Sequence, residues 1–438
     1  MGILTQILQL LLSLSILVIF HEFGHFAFAK IFKTRVEKFY LFFDPWFSLF
    51  KIKYKDTEYG MGWLPLGGYV KISGMIDESM DKEQLKQPEQ PWEFRAKPAW
   101  QRLLIMLGGV LVNFILAALI YIAILYTWGE EYIPNQNVKY GIHADSTAHK
   151  LGFQDGDKIL SINDKDIVKF DNIMSQIILD PPQKVKIDRN DSIVEISIEK
   201  SDINTIIEAK SRIIEPRFSF KIAAFSKDSN AKKAGLEIGD LLVKLNGKEL
   251  KYYDEYSKYL KSNPNKKVKI SVLRNGDTID YEFLTNKEGM IGVQPVAFNE
   301  IDFNHQDYTF FESFPAGIKK GKKMTIDYFK QLKLIFSPET GAYKSVGSFV
   351  TIGNMFSKSW DWFAFWTMTA FLSIILGVMN LLPIPALDGG HVVFVLYEMI
   401  TGRKPGDKFL EYAQITGFVI LILIMVYALK NDFVNYIF

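Results

Sequence analysis

Four long runs of apolar residues set the plan of the chain. The first, Ile3 to Phe20, is interrupted only by small or uncharged polar residues, and ~18 such residues suffice for a membrane span. Leu103 to Tyr126, Trp360 to Leu382 and Tyr412 to Leu429 repeat the pattern. Trp128 and Tyr132 follow the second run, and Trp360, Trp362 and Trp366 open the third. Those are positions that suit the aromatic belts of a bilayer boundary. Between the first two runs the pattern changes. Phe39 to Phe50 is aromatic-rich and half apolar, suited to an interfacial or re-entrant loop. Tyr59 to Ile72 reads as turn-linked strands, with Gly67-Gly68 leading into the β-prone Tyr69-Val70-Lys71-Ile72. Asp77 to Gln101 is a charged, proline-punctuated connector.

A long polar insertion, about Val138 to Pro295, carries an internal repeat. Ala148 to Ile167 lines up with Ala231 to Leu250, so that Gly152 matches Gly235, Gly156-Asp157 match Gly239-Asp240, and Asn163 matches Asn246. A short helix, a Gly-Asp turn, a strand and an Asn-containing turn recur in both copies. The pair resembles two consecutive PDZ domains, and the second copy follows that signature closely. Met290-Ile291-Gly292-Val293 resembles the PDZ peptide-binding loop, the implied peptide contacts being Ile291, Gly292 and Val293. The corresponding part of the first copy, Arg212 to Pro216, has no glycine. Beyond the insertion, Asp307 to Ser359 is rich in Lys and Phe, with Lys319, Lys320, Lys322 and Lys323 among apolar residues. It reads as amphipathic helix on a membrane surface, or equally as a charge run that is only a solvated face.

Composition narrows the chemistry. The chain has 438 residues, a net charge of only +2 and no cysteine. Nothing marks nucleic acid as a partner, and any metal must rest on His and carboxylates. Immediately after the first apolar run stand His21, Glu22 and His25. Ionisable groups at membrane depth are costly and ask for a function. At i and i+4, His21 and His25 project from one helix face and can converge on one metal ion. Glu22, adjacent but not a ligand, is placed to serve as general base, the H-E-x-x-H arrangement.

A catalytic zinc takes three protein ligands, and the end of the third run supplies a candidate. Asn380-Leu-Leu-Pro383-Ile-Pro385-Ala-Leu-Asp388-Gly389-Gly390-His391 follows it. The prolines stop the helix, leaving Asp388 expected in irregular backbone. Spans one and three enter from the same side, and Ile3 to His21 covers roughly 27 Å, as does Trp362 to Asn380. The two motifs therefore reach similar depth and can meet. Asn380 could bond an opened substrate backbone or serve only as a cap or packing amide. His391 could orient Asp388 or be a turn histidine. Gly108, Gly109 and Asn113 in the second span suggest close helix packing with one buried amide.

Together, His21, Glu22, His25 and the Asn380–Asp388 stretch resemble the site-2 protease family of intramembrane zinc metalloproteases. Leu64 to Ile72 resembles that family's membrane-associated β-loop, Gly108 to Phe114 its second-span motif, and Gly389 to His391 the continuation after its aspartate. Val110 stands where the second-span motif usually has Pro, and Gly347-Ser348 where relatives often carry Gly-Pro.

The resemblance implies an α-helical polytopic membrane protein with four transmembrane helices, a membrane-associated β-loop and two inserted α+β PDZ domains. The expected segments are 1–30, 31–102, 103–127, 128–212 and 213–298 (the two PDZ domains), 299–359, 360–383, 384–410 (the Asp loop and connector) and 411–430. It implies one zinc on His21, His25 and Asp388, with Glu22 as catalytic base. It implies substrate contacts at Gly68, Tyr69, Val70, Lys71, Ile72, Asn380 and Pro383. The partners would be the lipid bilayer and single-span membrane proteins, such as a pre-trimmed anti-sigma factor or signal-peptide remnants. Lys30, Lys33, Arg35, Lys97 and Arg102 flank the first loop, which argues for a cytoplasmic loop and a PDZ pair outside a bacterial inner membrane. Two other readings stand beside this one: a non-proteolytic PDZ scaffold with a structural zinc, and a peptidase of exported pheromone-like peptides.

Overall fold

The computed structural model describes residues 2–75, 88–209, 211–295 and 302–437. Parts of the expected Asp77–Gln101 connector and of the junction after the repeat lie outside them. The chain divides into two compact units, one formed by 1–129, 307–333 and 344–438, the other by 130–306 and 334–343.

The first unit is helical. Helix α1 (Gly2–Ile31) buries Gln6, Gln9, Ser13, Leu17, His21, Gly24 and His25, spaced three or four apart along one face. Ile3, Leu4, Ile7, Leu8, Ile19, Phe20 and Phe23 point outward and are exposed. A polar stripe inside and an apolar surface outside is what a hydrocarbon solvent demands. The stripe is bonded: Gln6 donates to Phe356 O at 2.9 Å, Gln9 to Ser357 O at 2.8 Å, and Thr369 to Ser13 Oγ at 3.0 Å. Helix α2 (Ala99–Trp128) crosses α1 where Gly24 and Gly108 face each other. A Cβ on either would strike the other's backbone, so the glycine pair sets the approach of the two helices.

After α1 the chain folds into a long hairpin, β1 (Val36–Tyr54) and β2 (Thr57–Ile72). Its first strand is flanked by both halves of the second. Phe39 pairs with Val70 on one side and Tyr59 on the other, and Tyr40 with Tyr69 and Gly60. Gly68–Ile72 is thus the outer edge, and among the described residues no further strand pairs with it. The hairpin base, α1 and α2 share a buried cluster of Ala29, Val36, Ile72, Phe94, Ile105 and Met106.

Helix α3 (Phe310–Ile335) is amphipathic, and its Gly317 abuts Ile122 of α2. The short α4 (Phe349–Met355) is held at its start by Asp432 of α7 (Asp407–Ile437), which accepts from Ser348 N at 3.0 Å and Thr351 N at 3.1 Å. Serine in place of proline at 348 supplies one of those N–H donors. Helix α5 (Trp362–Leu381) packs on α2, with Ser373 Oγ donating to Asn113 O at 2.8 Å.

The stretch after α5 corrects one expectation. Asp388 opens helix α6 (Asp388–Thr401), where the sequence pattern suggests only loop. Prolines 383 and 385 end one helix, and Asp388 favours the start of the next through its N-terminal dipole. Val392 and Val395 give α6 a buried face, and Gly402 ends it at φ 69°. Arg102 of α2 pairs with Glu398, fastening α6 to the bundle. Among the described residues, four helices (α1, α2, α5 and most of α7) are long and apolar enough to cross a membrane. The fold is that of a polytopic membrane protein.

The second unit holds two modules of the same design. Strands Lys165–Asp166, Lys158–Ile162, Gln183–Arg189 and Ser192–Ile198 form one sheet in that order. Lys248–Glu249, Leu241–Leu245, Lys267–Arg274 and Asp277–Leu284 form the other in the same order. The repeat reaches side chains. Arg189 Nε donates to Asp157 at 2.8 Å and Arg274 Nε to Asp240 at 2.6 Å, while Asn163 and Asn246 both turn at positive φ.

Candidate metal centre

One helical turn on α1 brings the rings of His21 and His25 to a centroid distance of 4.9 Å, nearly perpendicular to each other. Their Nε2 atoms lie 3.3 Å apart. Asp388 Oδ2 stands 3.3 Å from each of them. The three atoms form an equilateral triangle. A tetrahedral zinc with bonds of about 2.0–2.1 Å needs ligand atoms about 3.3–3.4 Å apart, so this donor set has the required size and chemistry. Asp388 Oδ2 is also a buried oxygen without a hydrogen-bond donor, as expected of an atom reserved for a cation.

The surrounding shell aims these groups. His25 Nδ1 donates to Ile105 O at 2.8 Å; a carbonyl only accepts, so the Nε2 lone pair is left for the centre. Asn113 Nδ2 lies 3.1 Å from His21 Nδ1, and Asn380 Nδ2 lies 3.2 Å from His21 Nε2. Gly109 lies against both rings: a Cβ there would come 2.5 Å from His25 Nε2. Asp388 is delivered by a folded turn, with Ala386 at φ 81°. Gly389 and Gly390 press on the backbone of residues 381–385, and Gly417 of α7 presses on Pro385.

Glu22 is half-buried beside the triangle. The edge of β2 lies against it. A Cβ on Gly68 would come 3.5 Å from Glu22 Cγ, and the Val70 N–H faces the carboxylate. Tyr69 OH donates to Asp44 at 2.9 Å, Lys71 pairs with Glu37 at 3.4 Å, and Ile72 is buried in the hairpin base. Pro383 is exposed on the turn, and the His391 ring sits edge-on to Phe394. Ile291, Gly292 and Val293 belong to the other unit, where Gly292 has φ 77° and its carbonyl accepts from Ser226 N.

Sequence reasoning under-read the second span. Asn113 and Gly109 are four residues apart, which puts them on one face of α2, but only the helix crossing aims that face at the two imidazoles. In the second unit, His143, Asp155 and Asp254 also come together. There Arg217 occupies Asp254 with contacts at 2.9–3.2 Å, so the group is an ion-pair network between the modules.

A polytopic helical bundle with a His-His-Asp triangle and an adjacent glutamate defines the class of membrane-embedded metallopeptidases. Residues 9–424 match the model of peptidase family M50, and the chain belongs to that family, the site-2 proteases. A Rickettsia conorii relative, provisionally named a zinc metalloprotease, is 28% identical over 98% of this chain and 99% of its own. The regulator of sigma E protease of Haemophilus influenzae is 27% identical over 99% of this chain and 100% of its own. The regulator of sigma-E protease RseP of Salmonella typhimurium is 26% identical over 99% of each chain.

Proposed function

We propose that this chain is an intramembrane zinc endopeptidase in which His21, His25 and Asp388 hold the metal and Glu22 is the general base. The observation that carries the assignment is the 3.3 Å triangle of two imidazole nitrogens and a carboxylate oxygen, with Glu22 beside it. Zinc held there would supply a Lewis acid for the scissile carbonyl and for activation of water. Glu22 takes the proton from the attacking water and returns it to the leaving amine. The two rings are 9% and 7% exposed, which keeps the site largely dry and strengthens its charges.

A substrate helix hides its carbonyls in its own hydrogen bonds and must unwind before attack. The outer edge Gly68–Ile72, beside which no further strand lies among the described residues, offers the opened backbone new partners by strand addition, directly beside Glu22. Asn380, 3.2 Å from a ligand nitrogen, is within reach of the backbone being cut. Pro383, exposed on the turn, lines the approach.

The reading extends to the rest of the molecule. The two repeated modules are PDZ domains, spanning about 128–212 and 213–298. They stand outside a bacterial inner membrane, with the hairpin on the cytoplasmic side. Their role is to screen out single-span proteins with bulky, untrimmed ectodomains, the second taking a peptide at Ile291, Gly292 and Val293. The relatives named for sigma E support a trimmed anti-sigma factor as substrate. The test uses full-length protein in detergent and a single-span substrate. Glu22→Gln retains zinc and lowers cleavage by about 10²–10⁴-fold, and a chelator abolishes cleavage by wild type. A Glu22→Gln protein of wild-type activity overturns the assignment.

A further inference from the structure

The two imidazoles face the centre alike, but what holds each from behind differs. Behind His25 is a backbone carbonyl, Ile105 O at 2.8 Å, which can do nothing but accept. Behind His21 is the side chain of Asn113, which can either donate or accept. Asn113 is fully buried, and its Oδ1 has no hydrogen-bond partner while Nδ2 faces His21 Nδ1. An Nδ2 donor at Nδ1 requires the ring hydrogen on Nε2, the atom that points at Asp388 and His25. An imidazole ligating through Nε2 requires the reverse, with the hydrogen on Nδ1 and an acceptor behind it. The approach of Asn380 Nδ2 to His21 Nε2 at 3.2 Å calls for that same reverse arrangement, because an amide nitrogen cannot accept. Half a turn of the Asn113 amide resolves the conflict, bringing Oδ1 onto Nδ1–H in the same space.

We propose that Asn113 is a positioning residue that selects the metal-binding tautomer of His21 by presenting its Oδ1 to the Nδ1–H. The inference rests on the assignment of His21, His25 and Asp388 as ligands. It leaves His25 oriented by a backbone acceptor and His21 by a side-chain one. Ser373, by donating to the Asn113 backbone carbonyl at 2.8 Å, ties that turn of α2 to α5.

The test compares full-length wild type, Asn113→Leu and Asn113→Asp in detergent. The readouts are the rate at which excess chelator strips zinc and the visible spectrum of the cobalt(II) form. Asn113→Leu, with no acceptor, loses zinc about 10–100-fold faster and shows an altered cobalt spectrum. Asn113→Asp, which can only accept, holds zinc at least as long as wild type and keeps the wild-type spectrum. A merely structural asparagine predicts the same stripping rate in every variant that folds. Either variant decides the matter if the other fails to fold: wild-type rates in the leucine form, or fast loss in the aspartate form, overturn the inference while leaving the metal centre in place. If wild type holds no stoichiometric zinc, the ligand assignment fails and the inference with it.

Discussion

The centre is assembled from two unlike regions. His21 and His25 come from the C-terminal half of an uninterrupted helix, where 3.6-residue periodicity alone puts them side by side. Asp388 comes from a turn between two helices, built on two prolines, a left-handed alanine and two glycines packed against their own backbone. The helix is a template whose geometry is intrinsic. The turn is a template whose geometry is imposed by its neighbours, so it is where the centre can be deformed and where stored strain sits.

Substitutions can break that contrast in a graded way. The largest effect is expected at Gly109, the α2 position that packs on both imidazoles. Gly109→Val abolishes zinc retention and costs about 1–3 kcal/mol through overpacking, measured by metal content and by thermal unfolding of the metal-free protein. On the turn side, Ala386→Val weakens zinc and destabilises the bundle by about 1–3 kcal/mol. Ala386→Gly is neutral or stabilising by up to ~1 kcal/mol, since glycine accepts the positive φ. Equal effects of the two would show that the turn carries no strain. At the hairpin edge, Val70→Pro removes the N–H facing Glu22. It lowers cleavage about tenfold, the scale of one hydrogen bond to a charged group, with zinc unchanged.

The smallest effect on catalysis belongs to the second unit. Burial alone would raise the Asp240 carboxyl, but Arg274 and the Glu237 N–H more than offset it and hold it below its ordinary value. A depressed carboxyl stabilises the fold above its unfolded pKa, about 4, and that stability is lost as pH falls through the folded value. Arg274→Met therefore raises the pH of acid unfolding of the second module, read by circular dichroism, while cleavage of an already trimmed substrate at neutral pH is unaltered.

What the sequence disclosed follows the same division. Membrane spans, the His-Glu-His face and the repeat are all local periodicities, and each is legible from residue spacing. Helix α6 was not, because Pro383 and Pro385 read as breakers; it forms because Val392 and Val395 find a buried face and Arg102 fastens Glu398. The place of Asn113 was hidden for a related reason. Its role depends on the Gly24–Gly108 crossing, a contact between helices far apart in the chain. The outer position of Gly68–Ile72 required the doubled-back register of the hairpin, which no single-strand pattern encodes.

Zinc stoichiometry, taken on the full-length protein and four variants under one chelator challenge, tests the central claim most directly. Wild type and Glu22→Gln should each keep one ion, while His21→Ala, His25→Ala and Asp388→Ala should each lose it. An Asp388→Ala protein that held its zinc as firmly as wild type would contradict the account, because the two distant segments would then share no ion.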